Sequence, residues 1–214
     1  MKNGGPLSLS LPLCGFIIII SCVGLFFPDF YAAETINWQA QSLGQDTVDL
    51  FLLAPSLLIS SLLTYYKKWS GIFIWGGTVF YLTYTFVLYC FDVHFNELFV
   101  LYCIALGLSF YSSLYFLFIV FKKSNPIHIE NKQVIWAIGI YFIVISVIFC
   151  LLWLAEIIPA IVQNKIPKSV DEAGLFTNGV HVLDLSILLP AIFITGVFLL
   201  KRKVISYFLV PTFL

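Results

Sequence analysis

The stretch "QVIWAIGIYFIVISVIFCLLWLA", Gln133 to Ala155, runs without a single charged side chain. Its β-branched and aromatic residues lean toward strand by local propensity. It shows no period-2 alternation, however, and its length suits a helix crossing about 30 Å of hydrocarbon. Inside a bilayer no water is at hand to satisfy an open backbone, so a continuous apolar run of this kind is read as a helix. The whole chain shares the character. Apolar residues make up 61% and charged residues 10%, against about a quarter charged in a soluble domain. With 22 Phe and a mean hydropathy of +1.01, the protein is no water-soluble globule. Its 214 residues have room for six or seven spans of about 20 residues and little else.

Six segments meet the length requirement, roughly 11–27, 46–66, 71–91, 97–121, 133–155 and 180–200. A further apolar piece, Val204 to Leu214, is too short to cross. The expected fold is an all-α integral membrane protein of six transmembrane helices, a single helical domain over 1–214. Basic residues set its orientation. Lys2, Lys67, Lys68, Lys122, Lys123, Lys132, Lys201, Arg202 and Lys203 fall in alternate connections, while the connections between hold only Lys165 and Lys168. The positive-inside rule therefore puts the N-terminus in the cytoplasm and the acid-bearing loops outside. Segment 1 is expected to stay as an uncleaved helix, because "YAAE" (Tyr31 to Glu34) would put a bulky Tyr where a signal peptidase wants a small residue.

Two phrases 135 residues apart share a skeleton: "VDLFLLAP" (Val48 to Pro55) and "LDLSILLP" (Leu183 to Pro190). Each has an acid followed by Leu, and a Pro six residues past the acid. Three residues before the acids stand Asp46 and His181. Asp49 lies about 27 Å before Lys67 at helical rise, and Asp184 about 26 Å before Lys201, so both acids belong at the outer boundary. One reading is helix capping, with Asp46 as N-cap and Asp49 at N3, and Thr177 or Asn178 capping segment 6. The other is a shared site. Residues three apart stack on one helix face, so Asp46, Asp49, His181 and Asp184 would converge if segments 2 and 6 were neighbours. Asp92, His94 and Glu97 from the connection after segment 3, with Glu156 closing segment 5, would join them at an acidic outer mouth. Such a group can take a divalent cation or relay protons. Capping is the favoured reading of the two. Pro55 and Pro190 should kink their helices, in the manner of transporters with paired broken helices.

Other features read more simply. Cys14, Cys22, Cys90, Cys103 and Cys150 show no metal-ligand spacing, and a Cys90–Cys103 disulfide is not expected. Trp38, Trp69, Trp153, Tyr65 and Tyr66 look like interfacial belts. "GIFIWGG" (Gly71 to Gly77) and "ALGLSFYSS" (Ala105 to Ser113) allow close helix packing. "IPKSVDEAGLF" (Ile166 to Phe176) predicts a short interfacial helix capped by Ser169. The loop bearing Phe30, Tyr31, Ile36 and Trp38 should lie on the membrane.

The stretch from Leu152 to Lys203, with "GQDTVDLFLLAPSLL" (Gly44 to Leu58) and "FDVHFNELFVLY" (Phe91 to Tyr102), resembles a family of bacterial and archaeal multi-pass membrane proteins whose activity is uncharacterised. The resemblance implies a location and a topology and nothing about chemistry. It also implies a chain shortened at its C-terminus, since members of that family continue past the last basic cluster into further helix.

Absences narrow the function classes. There is no GxxxxGK[ST] phosphate loop, no HExxH and no GxSxG. The inner connections are too short for a nucleotide domain, and basic residues sit where topology needs them, so neither nucleotide nor nucleic acid is an expected partner. The lipid bilayer is the expected one, with an oligomer or partner subunit left open. Three classes survive: a small secondary transporter or ion-handling protein of the inner or plasma membrane, a membrane-embedded enzyme with an outer metal or acid/base site, and a non-catalytic assembly protein. The first is favoured.

Overall fold

The computed structural model describes residues 4–27, 29–122 and 131–214. Lys2 and Lys123, two of the basic residues used for orientation, lie outside them. The described residues are helical with no strand. Six helical stretches are long and apolar enough to span: Gly5–Phe26, Ile36–Tyr65, Trp69–Phe91, Phe99–Lys122, Lys132–Val162 and Gly179–Leu200. The protein is thus an all-α, multi-pass membrane protein, as its sequence predicts. Large apolar side chains such as Phe51, Ile59, Phe118, Trp136 and Leu151 stand exposed along these helices, where lipid rather than water would meet them.

The elements are α1 (Gly5–Phe26), α2 (Ile36–Val48), α3 (Ala54–Tyr65), α4 (Trp69–Phe91), α5 (Phe99–Lys122), α6 (Lys132–Val162), α7 (Lys168–Ala173), α8 (Gly179–Leu183), α9 (Leu189–Leu200) and α10 (Ser206–Phe213). Contacts divide them into two compact units. The first comprises residues up to 119 with 172–175, and the second 120–171 with 176–214.

In the first unit α1 packs on α2 and α3, and α3 on α4. The α3–α4 turn is tight: a Cβ on Gly71 would lie 2.7 Å from the Thr64 backbone nitrogen. Lys67 takes a positive φ of 62° in that turn. The fully buried Trp75 donates its indole N–H to Ser10 Oγ at 2.8 Å, tying α4 to α1. Phe116 of α5 sits edge-on to Phe73 and Phe80 and fills the space over Gly76.

In the second unit α6 packs along α9. Gly139 faces Gly196 across this contact, each lacking the Cβ that would press on the other's carbonyl oxygen. The C-terminal α10 folds back on α9, burying Tyr207 and Val210 with Ile135, Phe142 and Leu199 in one apolar cluster.

The doubled phrase folds twice into the same local structure. Asp49–Leu53 and Asp184–Leu188 are π-helical turns. The Ala54 N–H bonds to the Asp49 carbonyl and the Leu189 N–H to the Asp184 carbonyl, each five residues back. In an α-helix Pro55 would leave the Phe51 carbonyl without a donor and press its ring against it, and Pro190 would do the same to Ser186. Widening the turn by one residue moves the carbonyl aside, and each Pro then enters the first turn of the next α-helix, where its missing N–H is harmless. The helix irregularity expected at each Pro thus takes the form of a π-turn just before it.

Three boundaries differ from expectation. The second span starts ten residues earlier than residue 46, so the expected membrane-surface loop is largely helix. Thr35 is its N-cap, accepting from the Trp38 N–H at 3.3 Å. Asp46 is consequently no N-cap; a carboxylate inside a helix has no free backbone N–H above it to accept from. Trp38 is buried rather than part of a belt. Helix α6 continues past Glu156 to Val162. In α7, Ser169 lies inside the helix, and its N–H is taken instead by Glu156 Oε1 at 2.8 Å. Asn178 does cap α8, accepting from the His181 N–H.

Candidate functional site

Asp46 and Asp49 stand one turn apart in the second span. Asp46 is wholly inaccessible (0%) and Asp49 nearly so (1%). Each of the Asp46 oxygens has a phenolic donor. Tyr31, from the turn after α1, donates to Oδ2 at 2.8 Å, and Tyr89, at the end of α4, donates to Oδ1 at 2.7 Å. Helix α1 closes the site with Gly24, whose missing Cβ is the space the Asp46 carboxylate fills. Tyr102 of α5 lies edge-on to Tyr89 at 5.2 Å, and its hydroxyl accepts from Asn96 Nδ2 at 3.3 Å. Burial, and then the Asp46 charge beside it, push the Tyr31 hydroxyl well above its usual range, so it stays a donor.

Asp49 is less well served. Its Oδ1 accepts from Gln45 Nε2 at 2.7 Å, and Gln45 Oε1 in turn accepts from the Tyr81 hydroxyl at 3.2 Å. Its Oδ2 is buried with no hydrogen-bond partner. A lone pair left open in a low-dielectric interior is expensive unless something else, a proton or a cation, occupies it. The π-turn begins at this residue. Its backbone N–H is shared between the Gln45 and Asp46 carbonyls, which ties the side-chain site to the irregular backbone below it.

Unit 1 also has a cavity of about 500 Å³ whose lining includes Asp29, Glu34, His94 and Glu97. The Glu34 carboxylate is 2% exposed and accepts both the His94 backbone N–H at 2.7 Å and Nδ1 of the same residue at 2.9 Å. Asn96 belongs to the same lining and donates to the Tyr102 hydroxyl, which links the cavity wall to the aromatic side of the Asp46 site. Asp92 is buried at the C-terminal end of α4, where its N–H bonds the Leu88 carbonyl.

In unit 2, Asp184 Oδ2 accepts the Trp153 indole N–H at 2.9 Å. His181 lies against the Trp153 ring, centroids 4.5 Å apart, with Nε2 3.9 Å from Glu156 Oε2. The expected set is thus distributed. Asp46 and Asp49 meet in unit 1, His94 pairs with Glu34, Glu97 lines the cavity, and His181, Asp184 and Glu156 gather around Trp153 in unit 2. Among the described residues no group of three or more His, Cys, Asp or Glu side chains is placed to hold a metal ion. Cys90 and Cys103 are both free, with Cys103 within hydrogen-bonding reach of the Cys90 thiol.

Sequence reasoning missed Tyr31, Tyr89, Gly24 and Gln45. Gln45 was findable, since it lies one residue from Asp46 and one helical turn before Asp49. The other three are remote in sequence and carried no local signal.

No family model matches the chain, and neither a curated protein nor a solved structure does. The site therefore stands on its own geometry.

Proposed function

We propose that this multi-pass membrane protein handles small cations, protons first among them, through the Asp46–Asp49 pair. The observation that carries the reading is Asp49 Oδ2, buried and without a partner one turn from a second buried carboxyl. Ionisable groups inside a membrane protein are costly and usually mark ion or proton paths. The phenolic cage holds Asp46 as a fixed acceptor, which leaves Asp49 as the exchanging group. A π-turn at that residue fits the same reading, because such turns gather at functional positions. The cavity at Glu34 and His94 supplies the outer approach, and the inner or plasma membrane is the location that the family resemblance favours.

The test is flux in proteoliposomes carrying a pH-sensitive dye, under imposed H⁺, Na⁺ and K⁺ gradients. Wild type should dissipate at least one of them, and Asp49→Asn should reduce that flux at least tenfold while Asp171→Asn, on the exposed face of α7, leaves most of it. Vesicles as tight as protein-free controls under all three gradients would sink the reading.

A further inference from the structure

Unit 2 has a cavity of about 600 Å³ of its own, at the end of α6 and the start of the sixth span. Its walls are largely apolar, with Ile157, Ile166, Phe176, Val182 and Leu185 among them. Thr177, Asn178 and Ser186 add neutral polar groups, and two ionisable side chains stand among them. One is Lys165, the only lysine, arginine or carboxylate in the lining. The other is His181, whose side chain is 7% exposed and whose Nε2 has no hydrogen-bond partner, Glu156 being too far at 3.9 Å.

The position of Lys165 is unusual for a second reason. By the positive-inside rule lysines are disfavoured on the face where the three acidic connections lie. Only Lys165 and Lys168 occur there. Lys165 follows directly on Asn164, whose φ of 51° turns the chain out of α6 and brings the lysine to the cavity. Topology does not need this charge, so the cavity is the feature that uses it. An apolar pocket with a single cationic group at the end of membrane-spanning helices is complementary to an anionic amphiphile. Acyl chains would meet the exposed Phe176, Ile166 and Val182, and a head-group oxygen would meet Lys165 Nζ. With Nε2 carrying its proton, His181 would supply a second donor.

We infer that this cavity binds the anionic phosphate head group of a lipid from the surrounding leaflet, with Lys165 as its charge partner and His181 as a second contact. The site is built from residues of unit 2 alone and does not depend on the function proposed for the Asp46–Asp49 pair.

The experiment measures binding of short-chain lipids to the full-length protein in detergent by native mass spectrometry and calorimetry. The probes are dioctanoyl phosphatidic acid, dioctanoylglycerol and inorganic phosphate, and the variants are Lys165→Gln, Lys165→Arg and His181→Gln. Phosphatidic acid should bind at least tenfold more tightly than dioctanoylglycerol, and more tightly than inorganic phosphate. Lys165→Gln, in an exposed connection where folding is not at stake, should lose at least tenfold of that affinity, and Lys165→Arg should keep most of it. His181→Gln should lose a smaller factor. Equal binding of dioctanoylglycerol would mean that the apolar walls alone act, and would overturn the proposal. So would undiminished binding by Lys165→Gln. Inorganic phosphate binding as tightly as the lipid would assign the site to a free anion and overturn the lipid assignment.

Discussion

Replacing Tyr89 by Phe removes one hydroxyl and almost no volume, and so isolates the bond to Asp46 Oδ1. A hydrogen bond to a charged, buried acceptor contributes about 1.5–3 kcal/mol, whereas bonds between membrane helices average nearer 0.6 kcal/mol because the unfolded reference finds partners too. The site argues for a value above that average: Asp46 is sealed from solvent and the bond is 2.7 Å long. We expect Tyr89→Phe and Tyr31→Phe each to cost about 1.5 kcal/mol, roughly a tenfold shift in the unfolding constant. In an Asp46→Asn background Tyr89→Phe should cost clearly less, since an amide oxygen is the weaker acceptor. The double Tyr31→Phe/Tyr89→Phe variant strands the carboxyl and should cost more than the sum of the two singles. Steric-trap unfolding in mixed micelles measures all of these on one scale. If both single variants fall below about 0.6 kcal/mol, and the Asp46→Asn background changes nothing, the cage is not what holds Asp46 in place.

Four further outcomes follow from the same geometry. Gly24→Ala should displace the Asp46 carboxylate from its two hydroxyls and cost about 1–3 kcal/mol by overpacking, and the loss should shrink when Asp46 is made Ala. In unit 2, Gly196→Ala should be worse than Gly139→Ala in a thermal-melt comparison. A Cβ on Gly196 meets a backbone oxygen at 2.8 Å, while the nearest obstacle to one on Gly139 is the movable end of Leu200. Alkaline unfolding should begin near pH 10, the ordinary value for Tyr31 in an unfolded chain. There the unfolded state releases a proton that the folded state keeps, so stability falls as pH rises, and Tyr31→Phe should flatten that fall. Glu156→Gln should loosen the start of α7, read as faster amide exchange at Ser169, by weakening the acceptor for its N–H.

How far the sequence could be read depended on whether a signal was local. The spans were legible because hydrocarbon thickness imposes one length on any crossing helix, and the six observed spans follow from runs such as Gln133 to Ala155. The early start of the second span was not legible. "NWQAQSLGQD" (Asn37 to Asp46) is polar enough to pass for a loop in water, yet it continues as helix, with Trp38, Ser42 and Asp46 on its buried side. The error mattered for the site. Once Asp46 was placed at a helix start, capping was the economical account of its charge. Placed ten residues into a helix, it needs donors from elsewhere, and Tyr31 and Tyr89 lie 15 and 43 residues away.

The doubled phrase shows what a short motif does encode. Both copies make the same backbone: an acid whose N–H is shared between the carbonyls three and four residues back, a π-turn beginning at that acid, and a Pro in the next helix's first turn. Spacing alone fixes this, because the Pro dictates which carbonyl must be moved aside. The side-chain surroundings differ entirely. Asp184 is matched by the Trp153 indole, whereas Asp49 keeps an open oxygen. The phrase therefore specifies a place in a helix where an acid and an irregular turn coincide, and the neighbouring helices decide what the acid does. In the first copy Tyr31, Tyr89 and Gly24 fix Asp46 beside an Asp49 whose Oδ2 has no hydrogen-bond partner, the feature on which the proposed ion handling rests. In the second the Trp153 indole serves Asp184, and His181 packs against the ring of that same Trp.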